Sequence, residues 1–223
     1  MPYPEECAKI KYMRDELEKL ACTPKPVEPK GFNPAAKLPY GLEVHHVRQA
    51  MESFVDFLGF LNRQLYSKGL PRIESLLMPA NFSSIVGEFM KANIPVFCPS
   101  LVANRYHNGH PDLIPAGRFP NNAVQHTDEG IEIKASRYEQ GWQGHNPEDV
   151  WLMVFVFTSN RPSDALQGVP PQPFRFRAVY CARLEKADWS FSGRSPTSRR
   201  TITASVTQSG LRKMLANWVY RAP

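Results

Sequence analysis

Seven apolar residues in a row, Trp151-Leu152-Met153-Val154-Phe155-Val156-Phe157, most constrain what this chain can fold into. The run has the length of a strand. It falls far short of the ~20 residues that cross a bilayer as a helix. Successive side chains of a strand point to opposite faces, so a strand apolar at every position must be buried on both. It is therefore expected at the centre of a sheet, and the rest of the chain must cover that sheet on two sides.

The N-terminal half offers helices for that purpose. Ile10, Met13, Leu17 and Leu20 recur at three- and four-residue steps and predict an amphipathic helix over 5–20. Prolines at alternate positions from Pro24 to Pro29 exclude a helix and predict an extended linker. A second helix is expected over 44–66, with Val47, Met51, Phe54, Val55, Leu58, Leu61 and Leu65 on one face and Gly69-Leu70-Pro71 ending it. A third is expected over 81–91, with Asn81 or a serine as its cap, after which Pro95-Val96-Phe97-Cys98 could begin the sheet. From Asp112 the pattern turns extended, with strands predicted over 112–115, 130–135, 150–158 and 174–184. Leu211, Met214, Leu215 and Trp218 predict a last helix over 209–220. The expected fold class is α/β or α+β, with a central mixed β-sheet flanked by helices. Residues 1–30 form an N-terminal helix and linker in this reading, and 31–223 a single domain with its core at about 82–184.

The bulk composition is that of a globular protein: 223 residues, 42% hydrophobic and 22% charged. A net charge of +6 favours polyanionic partners without identifying one. Cys7, Cys22, Cys98 and Cys181 form no CxxC pair, which argues against a zinc ribbon or a redox motif and for free thiols in a reducing compartment. No signal peptide or membrane span is legible, so a cytoplasmic location is expected.

Chemistry concentrates between His110-Pro111-Asp112 and Glu132-Ile133-Lys134. In Gly130-Ile131-Glu132-Ile133-Lys134, alternation puts Glu132 and Lys134 on one strand face and the isoleucines on the other. Paired carboxylates suit a hard divalent cation, and a neighbouring lysine can orient or deprotonate a water and steady developing negative charge. Pro111-Asp112 followed by Glu132-x-Lys134 resembles the signature of the PD-(D/E)xK nuclease superfamily, best known from type II restriction endonucleases. The resemblance spans about 88–157. It implies a restriction-endonuclease-like core, with the aspartate at the start of one central strand and the glutamate and lysine on the next. It also implies Mg²⁺ held by Asp112, Glu132 and the Ile133 carbonyl, Lys134 acting on the attacking water, and a further acid from a preceding helix, for which Glu88 is the candidate. Products with 5′-phosphate ends would follow.

Two segments are candidates for contacting DNA. The loop after the Glu132 strand carries Arg137, Gln140, Gln143, His145 and Asn146, side chains suited to phosphates and base edges. The segment 194–203 carries Arg194, Ser198, Arg199, Arg200 and Thr201 and no acid. His107-Asn108-Gly109-His110 lacks cysteines and acids at the spacing that a zinc or HNH site needs. His45 and His46 are read as surface or packing residues. The expectation is a Mg²⁺-dependent, site-specific endonuclease for double-stranded DNA, acting as a homodimer with the N-terminal helices as its interface. The alternatives are a repair, recombination or phage DNA-processing nuclease of the same superfamily, and a non-catalytic DNA-binding protein with a nuclease-like core.

Overall fold

The computed structural model describes residues 4–144, 146–191 and 203–223, with side chains from residue 12 onward. Its centre is a six-stranded sheet. In chain order the strands among the described residues are β1 (Leu101–Ala103), β2 (Leu113–Pro115), β3 (Ile131–Ser136), β4 (Gln143–Gly144), β5 (Val150–Thr158), β6 (Arg175–Leu184), β7 (Trp189–Phe191), β8 (Ala204–Val206) and β9 (Trp218–Arg221). The large sheet runs β1-β2-β3-β5-β6-β9, and β4, β8 and β7 form a small second sheet. β3 and β5 are parallel, while every other pair in the large sheet is antiparallel. The sheet is mixed, as expected, and the apolar run of β5 lies between β3 and β6.

Each face of β5 is buried against a different layer. Met153, Phe155 and Phe157 join the core formed with helices α2 (Val44–Ser67) and α4 (Pro79–Phe97). Leu152, Val154 and Val156 join a second core with α5 (Gln208–Ala216), Trp142 and Trp189. The short helix α3 (Ile73–Leu76) links α2 to α4. Covering both faces removes the run from Leu152 to Phe157 from water and leaves only Trp151 partly exposed. At roughly 1.5–3 kcal/mol per fully buried large apolar side chain, that burial anchors the fold.

Three boundaries differ from the sequence reading. α4 continues through Pro95 to Phe97 instead of yielding to a strand. Its buried residues Phe82, Val86, Met90 and Ile94 recur at four-residue steps, so packing Ile94 outweighs the backbone bond that Pro95 removes in the last turn. α5 stops at Ala216, and Trp218–Arg221 form β9 against β6. Val219 and Tyr220 are fully buried there, which a helix at that sheet edge could not achieve. The proline-rich segment is also no free linker: Val27 is buried, the Lys25 N–H donates to Phe174 O, and the Glu28 N–H donates to the Tyr220 hydroxyl.

α1 (Pro4–Ala21) docks through its polar side, with Glu18 on Arg72 and Arg14 on Ala165 O. Its apolar stripe faces outward instead: Met13, Leu17 and Leu20 are exposed, and so is Tyr12. No helix among the described residues is long and apolar enough to cross a membrane.

Candidate active site

β3 divides its residues between two environments. Ile131 and Ile133 point into the helical core, and Glu132 and Lys134 point to the opposite face. In register beside them lie Leu152 and Val154 of β5, so the acid and the lysine continue rows of the second core. Glu132 is 8% exposed, and Lys134 is partly buried. A charged pair at such a position is costly unless its groups are matched by partners.

Asp112 enters from the adjoining strand, one residue before β2. Its Oδ2 accepts from the Ile133 N–H at 2.9 Å, which ties the head of β2 to the middle of β3. Within a strand the N–H and C=O of one residue point to the same side, so the Ile133 carbonyl faces the edge where Asp112 sits. Gly130 allows the two strands to close at this point. A Cβ there would lie 2.2 Å from the Leu113 carbonyl, and its φ of +153° disfavours other residues. The Lys134 ammonium donates to Glu132 Oε1 at 2.5 Å.

Two further groups complete the cluster. His110 Nδ1 lies 3.1 Å from Glu132 Oε2, and its Nε2 lies 2.5 Å from Glu148 Oε2. Lys91 of α4 approaches Asp112 Oδ1 at 3.5 Å. The electrostatics follow from this crowding. Burial and the negative charge of Glu132 push the Asp112 carboxyl up to about 6. Burial acts upward on Glu132 as well, but the His110 hydrogen bond and the Lys134 charge outweigh it and hold that carboxyl down to about 2. Burial disfavours the His110 cation, yet Glu132 and Glu148 prevail and raise its pKa to about 9. Lys134 is likewise raised by Glu132 against the effect of burial, so it stays an ammonium at neutral pH.

Glu132, Lys134, His110, His126, Glu148 and Asn146 line a cavity of about 360 Å³. Asp112 does not line the cavity and lies partly buried at the junction of β2 and β3. The loop side chains expected to contact DNA separate on inspection. Asn146 faces the cavity, and Gln143 sits exposed on β4 beside it. Gln140 is exposed in the turn before β4. Arg137 continues the isoleucine side of β3 and crosses to the helical face. There its guanidinium donates to Ser159 O and Asn160 O and lies over the rings of Phe82 and Phe157. Those contacts make Arg137 a packing residue in this conformation. Glu88 is also displaced from the cluster: its side chain is 71% exposed and lies 3.7 Å from Lys91, which occupies the place next to Asp112. One helical turn decides the exchange, because i and i+3 share a face and Lys91 lies nearer the strand. His145, Arg194, Ser198, Arg199, Arg200 and Thr201 lie outside the described residues.

His110, His126 and Glu148 were not legible as a group. They come from three separate segments brought together by pairing that is long-range in sequence. The His110 N–H donates to Gln125 O and the Thr127 N–H to His110 O, so His110 and His126 face each other across a parallel bridge. Buried Asn104 staples both segments, donating to Pro111 O and Val124 O. The HNGH string marked one member of the group, His110, and no spacing rule reaches the other two.

The arrangement offers buried carboxylates, a charged lysine and an imidazole around a polar cavity, which suits a metal-assisted hydrolysis of an anionic substrate. No protein-family model, no curated protein and no solved structure matches the chain, so the reading rests on this geometry.

Proposed function

We propose that the protein is a Mg²⁺-dependent endonuclease acting on double-stranded DNA, of the type II restriction kind that its PD…ExK residues resemble. The observation that carries this reading is the convergence of Asp112, at the head of β2, with Glu132 and Lys134, on adjoining β3, in one buried cluster. The chemistry of the donors fits a hard cation. Burial first, and then the negative charge of Glu132, raise Asp112, and a divalent ion between the two carboxylates would offset both. Asp112, Glu132 and the Ile133 carbonyl would hold Mg²⁺, which when bound would supply Lewis-acid polarisation of a phosphoryl oxygen and an acidified water.

The chain's own residues then have distinct tasks. Lys134 is held charged, so it orients the attacking water and stabilises the developing negative charge instead of accepting a proton. His110 fixes Glu132 by its second oxygen. Asn146 in the cavity lining and Gln143 on adjoining β4 would meet DNA, and the +6 net charge would draw the polyanion in. A single cleavage centre per chain calls for two copies to cut a duplex. The outward stripe of Met13, Leu17 and Leu20 on α1 is the surface we assign to that homodimer.

Incubation of a supercoiled plasmid of known sequence with the protein and Mg²⁺, followed by mapping of fragment ends, tests the proposal. Discrete fragments with 5′-phosphates are expected. A smear would instead favour a DNA-processing nuclease of low specificity. An intact plasmid across a range of DNA sequences would contradict catalysis and favour a DNA-binding module.

A further inference from the structure

We propose that His110, His126 and Glu148 form a second metal site that takes a borderline transition ion of the Zn²⁺ class, distinct from the oxygen-rich site at Asp112 and Glu132. Their donor atoms all lie within 4.8 Å of one another. Two imidazoles and one carboxylate are the donor set of many three-residue Zn²⁺ sites, whereas Mg²⁺ prefers oxygen alone.

Several features prepare the group. The parallel bridge between His110 and His126 sets the two rings side by side, with centroids 5.5 Å apart and planes inclined by 24°. Asn104 locks that bridge through Pro111 O and Val124 O. Gly109 permits the close approach, since a Cβ there would meet both Asn104 Nδ2 and Val124 O at 2.6 Å. Glu132 holds Nδ1 of His110, which leaves Nε2 as the metal-facing atom in the carboxylate–histidine–metal pattern. That Nε2 is buried and close to Glu148 but is not aligned in a hydrogen bond with it. An imidazolium–carboxylate pair alone would account for His110 and Glu148 but not for His126, whose Nε2 stands 3.9 Å from Glu148 Oε1. Binding would release the proton between His110 and Glu148 to solvent. All three residues line the cavity, so an ion they held would be open to water or a phosphate oxygen.

The test is a titration of the untagged protein with Co²⁺, read by its visible ligand-field absorption and by displacement with Zn²⁺. Wild type is expected to bind one Co²⁺ per chain. His126→Ala should weaken binding at least tenfold. Its side chain is 63% exposed, so the variant should fold. Glu132→Gln, acting through His110, should weaken binding roughly 10- to 100-fold. Asp112→Asn should bind Co²⁺ as wild type does while losing Mg²⁺-dependent cleavage, so failure of this inference and failure of the nuclease reading show separately. Absence of a Co²⁺ spectrum in wild type overturns the site. So does undiminished binding by His126→Ala, or loss of binding in Asp112→Asn.

Discussion

Two buried ionic clusters sit at opposite ends of β5, and their chemistry differs. Beyond Thr158, Arg72 is 1% exposed and spends each of its five N–H groups: two on Glu18 and one each on Glu74, Asn160 and Gln172 O. Glu74, wholly buried, is completed by Asn62 at 2.9 Å, and Asn62 in turn accepts from the Ile73 N–H. Every strong group there has a well-placed partner, so the cluster clamps α1, α2 and the loop after β5 together. Before Val150, the Asp112–Glu132–Lys134–His110–Glu148 cluster is equally crowded but unresolved. One acid is pushed up by burial and by its neighbour's charge, an imidazole nitrogen is misaligned with its neighbour, and a cavity opens on the group. A satisfied network holds a fold; a strained one beside a cavity is where binding and chemistry are expected.

The largest effect should come from breaking the satisfied cluster. Arg72→Ala leaves Glu74 charged and buried without its guanidinium. A loss of about 3–5 kcal/mol in denaturant unfolding is expected, with the Asp112–Glu132–Lys134 cluster intact in whatever protein stays folded. A near-neutral result would show that the comparison has been drawn wrongly.

The opposite response is expected at the strained cluster. Because the folded Asp112 carboxyl lies at about 6, above its ordinary value, its ionisation costs stability. That cost sets in as pH rises from about 4 toward 6 and is complete above. In chelator at neutral pH, Asp112→Asn should therefore gain on the order of 1 kcal/mol while abolishing Mg²⁺-dependent cleavage. Equal stability of the two proteins at every pH would contradict the strain.

Asp188 supplies a smaller contrast of reversed sign. Burial would raise its carboxyl, but Lys213, the Glu185 N–H and Ser209 hold it below the usual aspartate range. Its contribution should be complete above about pH 4 and disappear as pH falls through the depressed value. Asp188→Asn should thus flatten the acid limb of the stability curve, as thermal melts across pH will register. The smallest effect is expected from Arg137→Met. It should lower stability modestly by removing the contacts to Ser159 and Asn160, with no change in the salt dependence of DNA binding. A reduced salt slope would return Arg137 to the DNA interface.

Periodicity decided how much was legible in advance. β5 was readable to the residue because its continuous apolar run gives way at the polar, exposed Thr158. Glu132 and Lys134 were readable because a period of two places i and i+2 together, whatever the strand's partners. Lys91 and Glu88 share a helix face, and only the docking angle of α4 on β3 selects between them. Short strands such as β1, β4, β7 and β8 have too few residues to show alternation. His126 and Glu148 carry no local signal, because their proximity to His110 is created by tertiary pairing. The apolar stripe of α1 was visible, but its direction was not: the buried demand of Arg72 for Glu18 turns the stripe outward.

The most direct test of the proposed function is the rate at which Lys134→Ala nicks supercoiled plasmid in Mg²⁺, measured beside wild type after both show the same unfolding midpoint. Lys134 touches Glu132 at the centre of the cluster and makes no other bond on which the fold depends in the contacts described above. A fall of roughly 10²- to 10⁴-fold is the predicted result. Equal rates for the two proteins would contradict the assignment of the cluster as the centre that cuts DNA.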